Sequence, residues 1–367
     1  MRKSSKKASL AVAAMLVGSI FCTPAFAAAP DSNTATYGAV VVDNWGNNNE
    51  VTGVGAQVFD SYDNNTAKAV DVTTINGTAT IPQNYSDVTA IGARVGTSHN
   101  WNTAEVKGDV KAENYGSGIS GIKNEVFAVG SQILGSGINN TATMAGDVSA
   151  YNEGKFSNVT AIGTAIVDSK DGNKAIMGYS DGSVMASNHG QGLELINPAN
   201  GVHDAGLNNV LAYGAGISES GYGNTANTNQ WVAAHNWGTY ANDVTSIGTL
   251  VSGSGDYNTA TTQITFAETW PTGALDSYAG NFNNNTVIAY GAQVIDSDNY
   301  NTATSNFVRN DMVGANNTVA AIGAQVLNSG SYNNAFGGDV TVKSVGNNNT
   351  VTAIGAQISK TVKKANS

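Results

Sequence analysis

The chain has 367 residues, with 17 Lys+Arg against 27 Asp+Glu for a net charge of −10, and one cysteine. An acidic balance of that size argues against nucleic acid and anionic membrane as partners. A lone cysteine rules out an internal disulfide framework, and beyond the N-terminal segment no apolar run reaches the ~18 residues of a membrane span.

Residues 1–27 read as a signal peptide: basic Arg2, Lys3, Lys6 and Lys7, an apolar stretch from Ala8 to Phe21, and Ala25-Phe26-Ala27 as a cleavage site. Cys22 is expected to leave with it. Losing the four bases leaves 13 Lys+Arg against 27 Asp+Glu, a charge of about −14. Residues 28–367 follow as a single repeat domain, expected to be secreted or held at a bacterial cell surface.

That domain opens on Asn33-Thr34-Ala35, and Asn-x-Ala returns at Asn65, Asn102, Asn140, Asn173, Asn224, Asn258, Asn301 and Asn333. Between these stands a Val-x-small-x-Gly run, on Gly55, Gly92, Gly130, Gly163, Gly214, Gly248, Gly291, Gly323 and Gly355. Valine lies four before each glycine, from Val51 to Val351, and Val or Ile three after, from Val58 to Ile358. A register kept this strictly puts every copy in the same surroundings, which is the mark of a stacked repeat. The leg from Gly to Asn is always ten residues, whereas the return leg runs from 22 (Asn33 to Gly55) to 41 (Asn173 to Gly214). The fixed leg is core and the variable one carries outward insertions, where Pro82, Pro198 and Pro271 all fall.

Apolar and small residues alternate with a period of two (Val319, Ala321, Gly323), and Gly, Asn, Ser and Thr fill the intervals, so the elements are strands. Each rung is predicted as a strand ending near the Val or Ile after the glycine, a turn around serine, and a second strand starting at the asparagine. The fold class is therefore all-β: a β-solenoid of about nine strand–turn–strand rungs, built as two facing sheets over a thin Val/Ala/Gly core. At ~4.8 Å per rung the body is roughly 43 Å long. Stacking puts Asn on Asn, so the column can hydrogen-bond along the axis while penalising any slip of register. Asn33-Thr34-Ala35 begins with the second half of a rung and Val351 to Thr361 ends with a first half, so head-to-tail stacking of copies would complete a split rung.

The frame Val-x-Ala-x-Gly…Ser…Asn-x-Ala resembles the repeats of curlin-type secreted fibre subunits, over nearly all of residues 33–361. That resemblance implies a strand–turn–strand unit and assembly into extracellular fibres. It departs from the frame in its insertions and in its glutamines, present two after the glycine only at Gln57, Gln132, Gln293, Gln325 and Gln357. The Ala90-Ile91-Gly92 and Ala321-Ile322-Gly323 runs are also similar to head repeats of trimeric autotransporter adhesins, whose stalk heptads and C-terminal anchor this sequence lacks.

No catalytic, cofactor or metal site is expected. Asp60, Asp168 and Asp296 recur as turn residues, and Asp296-Ser297-Asp298 is the nearest approach to a carboxylate pair. His99, His189, His203 and His235 lack ligand spacing. Gly116-x-Gly118-x-x-Gly121 matches a dinucleotide fingerprint with no βαβ context around it. Trp231 and Trp237 flank His235, and Trp270 lies in the insertion 261–286; exposed aromatics of this kind suit adhesion to carbohydrate or a host surface, and equally the packing of legs. A row from Thr34 to Thr302, interrupted at Lys174 and Asn334, suits a plain β surface better than ice binding. Two readings stand: a self-assembling fibre subunit with no enzymatic activity, and a monomeric cell-surface or matrix adhesin.

Overall fold

The protein is described by a computed structural model over residues 33–360, apart from 46–48, 60–62, 78–85, 98, 116–123, 136, 154–156, 169, 179–181, 189–207, 220, 237–242, 254, 270–284, 297 and 314. Residues 1–27, expected to be a signal peptide, and the three return-leg prolines lie outside the described residues. Among those residues every regular element is a strand and every strand pairing is parallel. Parallel neighbours force the chain back to the same end before each new strand. Here the return runs through a second sheet, which makes the fold a β-solenoid.

One sheet, the glycine sheet, has nine strands, beginning with Asn49–Phe59 and Ser86–Gly96 and ending with Thr318–Ser329 and Thr350–Lys360. Seven of the nine have a neighbour on both edges, giving about seven fully stacked turns. Register follows the repeat through the body of the sheet, Val51 pairing Val88, Val159 pairing Val210 and Gln325 pairing Gln357, and shifts once at the last pair of strands, where Ser329 meets Lys360.

The glycine has a stereochemical task in this sheet. Val88, Ala90, Ala93 and Val95 all lie in the core, so inward parity switches across Gly92 and the strand bends there. The pairing ladder skips the glycine, running from Ile91↔Val129 to Ala93↔Ser131. A methyl group on Gly163 would lie 2.5 Å from the Gly214 carbonyl oxygen, 2.8 Å from Met177 Sδ and 2.9 Å from Val184 Cγ2. Outer residues flanking the bend close on one another, and Val129, Ile162, Ala165, Tyr213, Ile247 and Leu250 form a second, smaller apolar cluster. The strands are thus buried on both faces, which accounts for runs such as Val126-Phe127-Ala128-Val129 in place of clean alternation.

The opposite, asparagine sheet has 14 strands because its first five rungs are each broken into two, as in Thr66–Ala69 with Asp71–Asn76. The corner is held by aspartates: Asp71 accepts from the Asp109 N–H (2.8 Å), Asp109 from Asp147 (3.0 Å), and Asp147 from Ser183 (2.7 Å). From Thr225–Asn236 onward the two pieces fuse, with a register shift between Thr228 and Trp231 marking the change. The expected threonine row is in place, from Thr34 paired to Thr66 through to Thr302 paired to Asn334. Every glycine-sheet strand but the last packs between two rungs of this sheet; Asn49–Phe59 touches both Ala39–Asn44 and Asp71–Asn76. The two sheets are therefore staggered by half a step.

Candidate functional site

The asparagine column begins every rung of its sheet. Each side chain donates from Nδ2 to Oδ1 of the asparagine in the next rung: Asn65 to Asn102 at 2.9 Å, Asn102 to Asn140 at 2.8 Å, Asn173 to Asn224 at 3.0 Å, and Asn301 to Asn333 at 3.1 Å. The same Oδ1 also accepts the backbone N–H of the preceding asparagine, as from Asn140 and Asn224 at 3.0 Å. A backbone N–H can only donate, so it fixes which end of the amide faces back along the axis. All eight links, from Asn33 through Asn333, point the same way.

Other amide columns among the described residues run in that direction. Asn44, Asn76, Asn114, Asn152, Asn188 and Asn236 are joined Nδ2 to Oδ1 at 2.8–3.0 Å. Sequence reading missed this column; its signal is a second asparagine recurring after the first in six consecutive rungs. Gln293, Gln325 and Gln357 form a short glutamine ladder at 2.8 and 2.9 Å. Gln57 and Gln132 occupy the same register with Arg94 between them, so no continuous glutamine column forms.

At the C-terminal face the main column and the glutamine ladder are unfinished. Asn333 Nδ2 is buried without a hydrogen-bond partner among the described residues. Val351 and Ile358, whose counterparts Val319 and Val326 are fully buried, are 50% and 53% exposed. Among the described residues Gly355 has no atom within 4 Å of where a methyl group would point, in contrast to Gly163. The half-step stagger explains this, since Thr350–Lys360 has an asparagine-sheet rung on one side only among the described residues.

The remaining candidates are surface features. Trp231 is 54% exposed on the outer face of the asparagine sheet, with its ring edge-on to Phe266 (6.3 Å), which meets Phe307 in turn (5.8 Å). Trp231 thus rests on the adjacent rung with about half of its surface left open. Trp237, Trp270, His189, His203 and the Gly116–Gly121 run lie outside the described residues. His235 Nδ1 sits 3.3 Å from Glu268 on the same outer face. Asp168 and Asp296 occupy left-handed turn positions (φ 53° and 55°), and Asp168 hydrogen-bonds the Glu219 carboxyl and pushes its pKa up. In the same row of turns Tyr257, Tyr300 and Tyr332, from three successive rungs, stack face to face at 4.8 and 5.0 Å, with Tyr332 74% exposed at the end. Among the described residues no group of three or more His, Cys, Asp or Glu converges on a common point.

Compared with known protein families, curated proteins and solved structures, the chain matches none.

Proposed function

We propose that this chain is a secreted structural protein that assembles head to tail into extracellular fibres, with a second copy as its principal partner. The observation that carries this reading is the C-terminal face, with two half-exposed core side chains, Val351 and Ile358, and a buried amide donor, Asn333 Nδ2, that has no acceptor among the described residues. Fully burying a Val or Ile side chain is worth about 1.5–3 kcal/mol, so covering these halves supplies roughly 2 kcal/mol. Pairing two exposed strand edges adds to that. Catalysis, cofactors, nucleic acid and membrane insertion have no part in this reading.

The test is Gly355→Ala. The methyl group meets nothing among the described residues of the single molecule, so the thermal unfolding midpoint should change little. In a stack it would meet the carbonyl of the next copy's Gly55, as a methyl on Gly323 would meet Gly355. Negative-stain electron microscopy should therefore find filaments from the unmodified chain and discrete particles from the variant. Discrete particles from both, or filaments from both, would overturn the reading.

A second reading rests on Trp231. Its exposed ring, with Phe266 and Phe307 behind it, suits a cell-surface or matrix adhesin that holds carbohydrate or a host surface. Trp231→Ala should abolish such adhesion and leave filaments intact, so the two readings separate cleanly.

A further inference from the structure

The two end rungs match at their column and core positions. At an offset of 300 positions the pairs Asn33/Asn333, Val40/Val340, Val42/Val342, Asn49/Asn349, Val51/Val351 and Gln57/Gln357 are identical. This single offset holds because the first and last return legs have the same minimal length of 22 residues, with the long insertions confined to interior rungs. One outward pair is complementary rather than identical, Asp43 against Lys343, and both side chains are exposed.

We infer that a second copy seats its first rung on the last rung in the internal register, and in one orientation only. This inference rests on the fibre reading and specifies its interface. In that register Asn333 Nδ2 meets the position held by Asn33, where every later member of the column accepts. Gln357 extends its ladder onto Gln57. Asp43 comes to lie beside Lys343 across a strand spacing of ~4.8 Å. Orientation follows from the one-way amide links: two C-terminal faces brought together would oppose donor to donor and leave buried N–H groups unpaired. Register follows from the same columns, because a shift of one residue would carry each strand's core side chains to the outer face. The opposite charges add a modest preference of the kind expected for a cross-strand pair.

Disulfide trapping tests both claims on the full chain carrying Cys22→Ala. Parallel neighbours lie within the ~4.4–6.8 Å Cα range of a disulfide. Asp43→Cys with Lys343→Cys should give a covalent ladder of multimers when filaments are oxidised and run without reductant. Val41→Cys with Lys343→Cys is the register control: Val41 is exposed two residues away on the same strand. Its Cα would stand about 8 Å from that of Lys343, beyond bonding range. Lys343→Cys alone reports on orientation, since only two facing C-terminal ends bring its thiols together. At least tenfold more multimer from the 43/343 pair than from the 41/343 pair, and no dimer from 343 alone, is the expected result. Filaments with equal trapping in both pairs overturn the register. Filaments with 343 dimers overturn the polarity. An unmodified chain that forms no filaments removes the fibre reading itself, and this inference with it.

Discussion

Replacing one asparagine of the column should cost an amount set by its position, and Asn224 against Asn33 is the sharpest comparison. Asn224 Oδ1 accepts from both Nδ2 and the backbone N–H of Asn173, each at 3.0 Å and fully buried. Its own Nδ2 reaches Asn258 Oδ1 at 3.0 Å and the Gly221 carbonyl at 2.9 Å. Asn224→Ala therefore strands two buried N–H donors of Asn173, each worth about 1–3 kcal/mol, while Asn258 Oδ1 keeps the backbone donor of residue 224. The expected loss is roughly 4 kcal/mol, a large share of the ~5–15 kcal/mol that holds a typical domain together. Asn33 only donates in its column, and Asn65 Oδ1 retains the Asn33 backbone N–H at 3.2 Å after truncation. Asn33→Ala should cost about 1 kcal/mol. Urea unfolding followed by far-ultraviolet circular dichroism, at concentrations too low for assembly, measures both. The Asn224 transition should also broaden, because stability in a stacked repeat is passed between neighbours and a weak rung uncouples the two halves. Equal losses at the two positions, or a loss under 1 kcal/mol at Asn224, would refute the reasoning.

Asn224→Asp keeps the acceptor for Asn173 but buries a carboxylate against Asn258 Oδ1, so its folded pKa must rise above the unfolded value. Stability should then be highest below the unfolded carboxylate pKa and fall as pH rises through the folded one, measurable as a midpoint that drops from pH 4 to pH 7. Gly163→Ala should destabilise by about 3 kcal/mol through overpacking on the Gly214 carbonyl and Met177, whereas an unchanged midpoint would mean the bend can relax. Thr97 holds a left-handed conformation (φ 51°) at a turn position that is glycine at Gly135 and Gly253, so Thr97→Gly should stabilise by roughly 0.5–1 kcal/mol; a loss of stability would contradict it. Burial raises the Tyr213 phenol far above its ordinary value, so its neutral form contributes stability below the unfolded tyrosine pKa that is lost as pH climbs toward the folded one. Tyr213→Phe should therefore unfold at higher alkaline pH than the unmodified chain, and an identical alkaline midpoint would count against this.

Much of the architecture was legible because the repeat carries its own alignment. Asn-x-Ala and the Val-x-small-x-Gly run each mark one sheet, and fixed spacing between them fixed which residues stack. The bend at glycine was not legible: alternation through Val88, Ala90 and Gly92 gives no hint that Ala93 also turns inward, because a parity switch follows from backbone geometry. Nor was the outer cluster around Tyr213, since apolar residues flanking a bend look like ordinary outward positions until the bend brings them together. The second asparagine column escaped notice because its distance from the first varies, with Asn33 to Asn44 shorter than Asn173 to Asn188. The break in the sheet near Asp71 absorbs that variation. Trp231 could be placed in a return leg but not on a face, because the register shift just before it decides which way the ring points.

The side-chain links of the main column join residues as few as 32 positions apart, Asn301 to Asn333, and as many as 51, Asn173 to Asn224. Chain closure entropy grows only slowly with loop length, so every rung faces nearly the same entropic barrier once its predecessor is in place. Contact order relative to chain length consequently falls as rungs are added, which is the reverse of most parallel sheets of this size. A ribosome or a translocation channel releasing the chain from its N-terminus would deliver each rung onto a finished template. The fold can therefore be completed in the order in which it is made, with each rung sheltering the edge exposed by the one before.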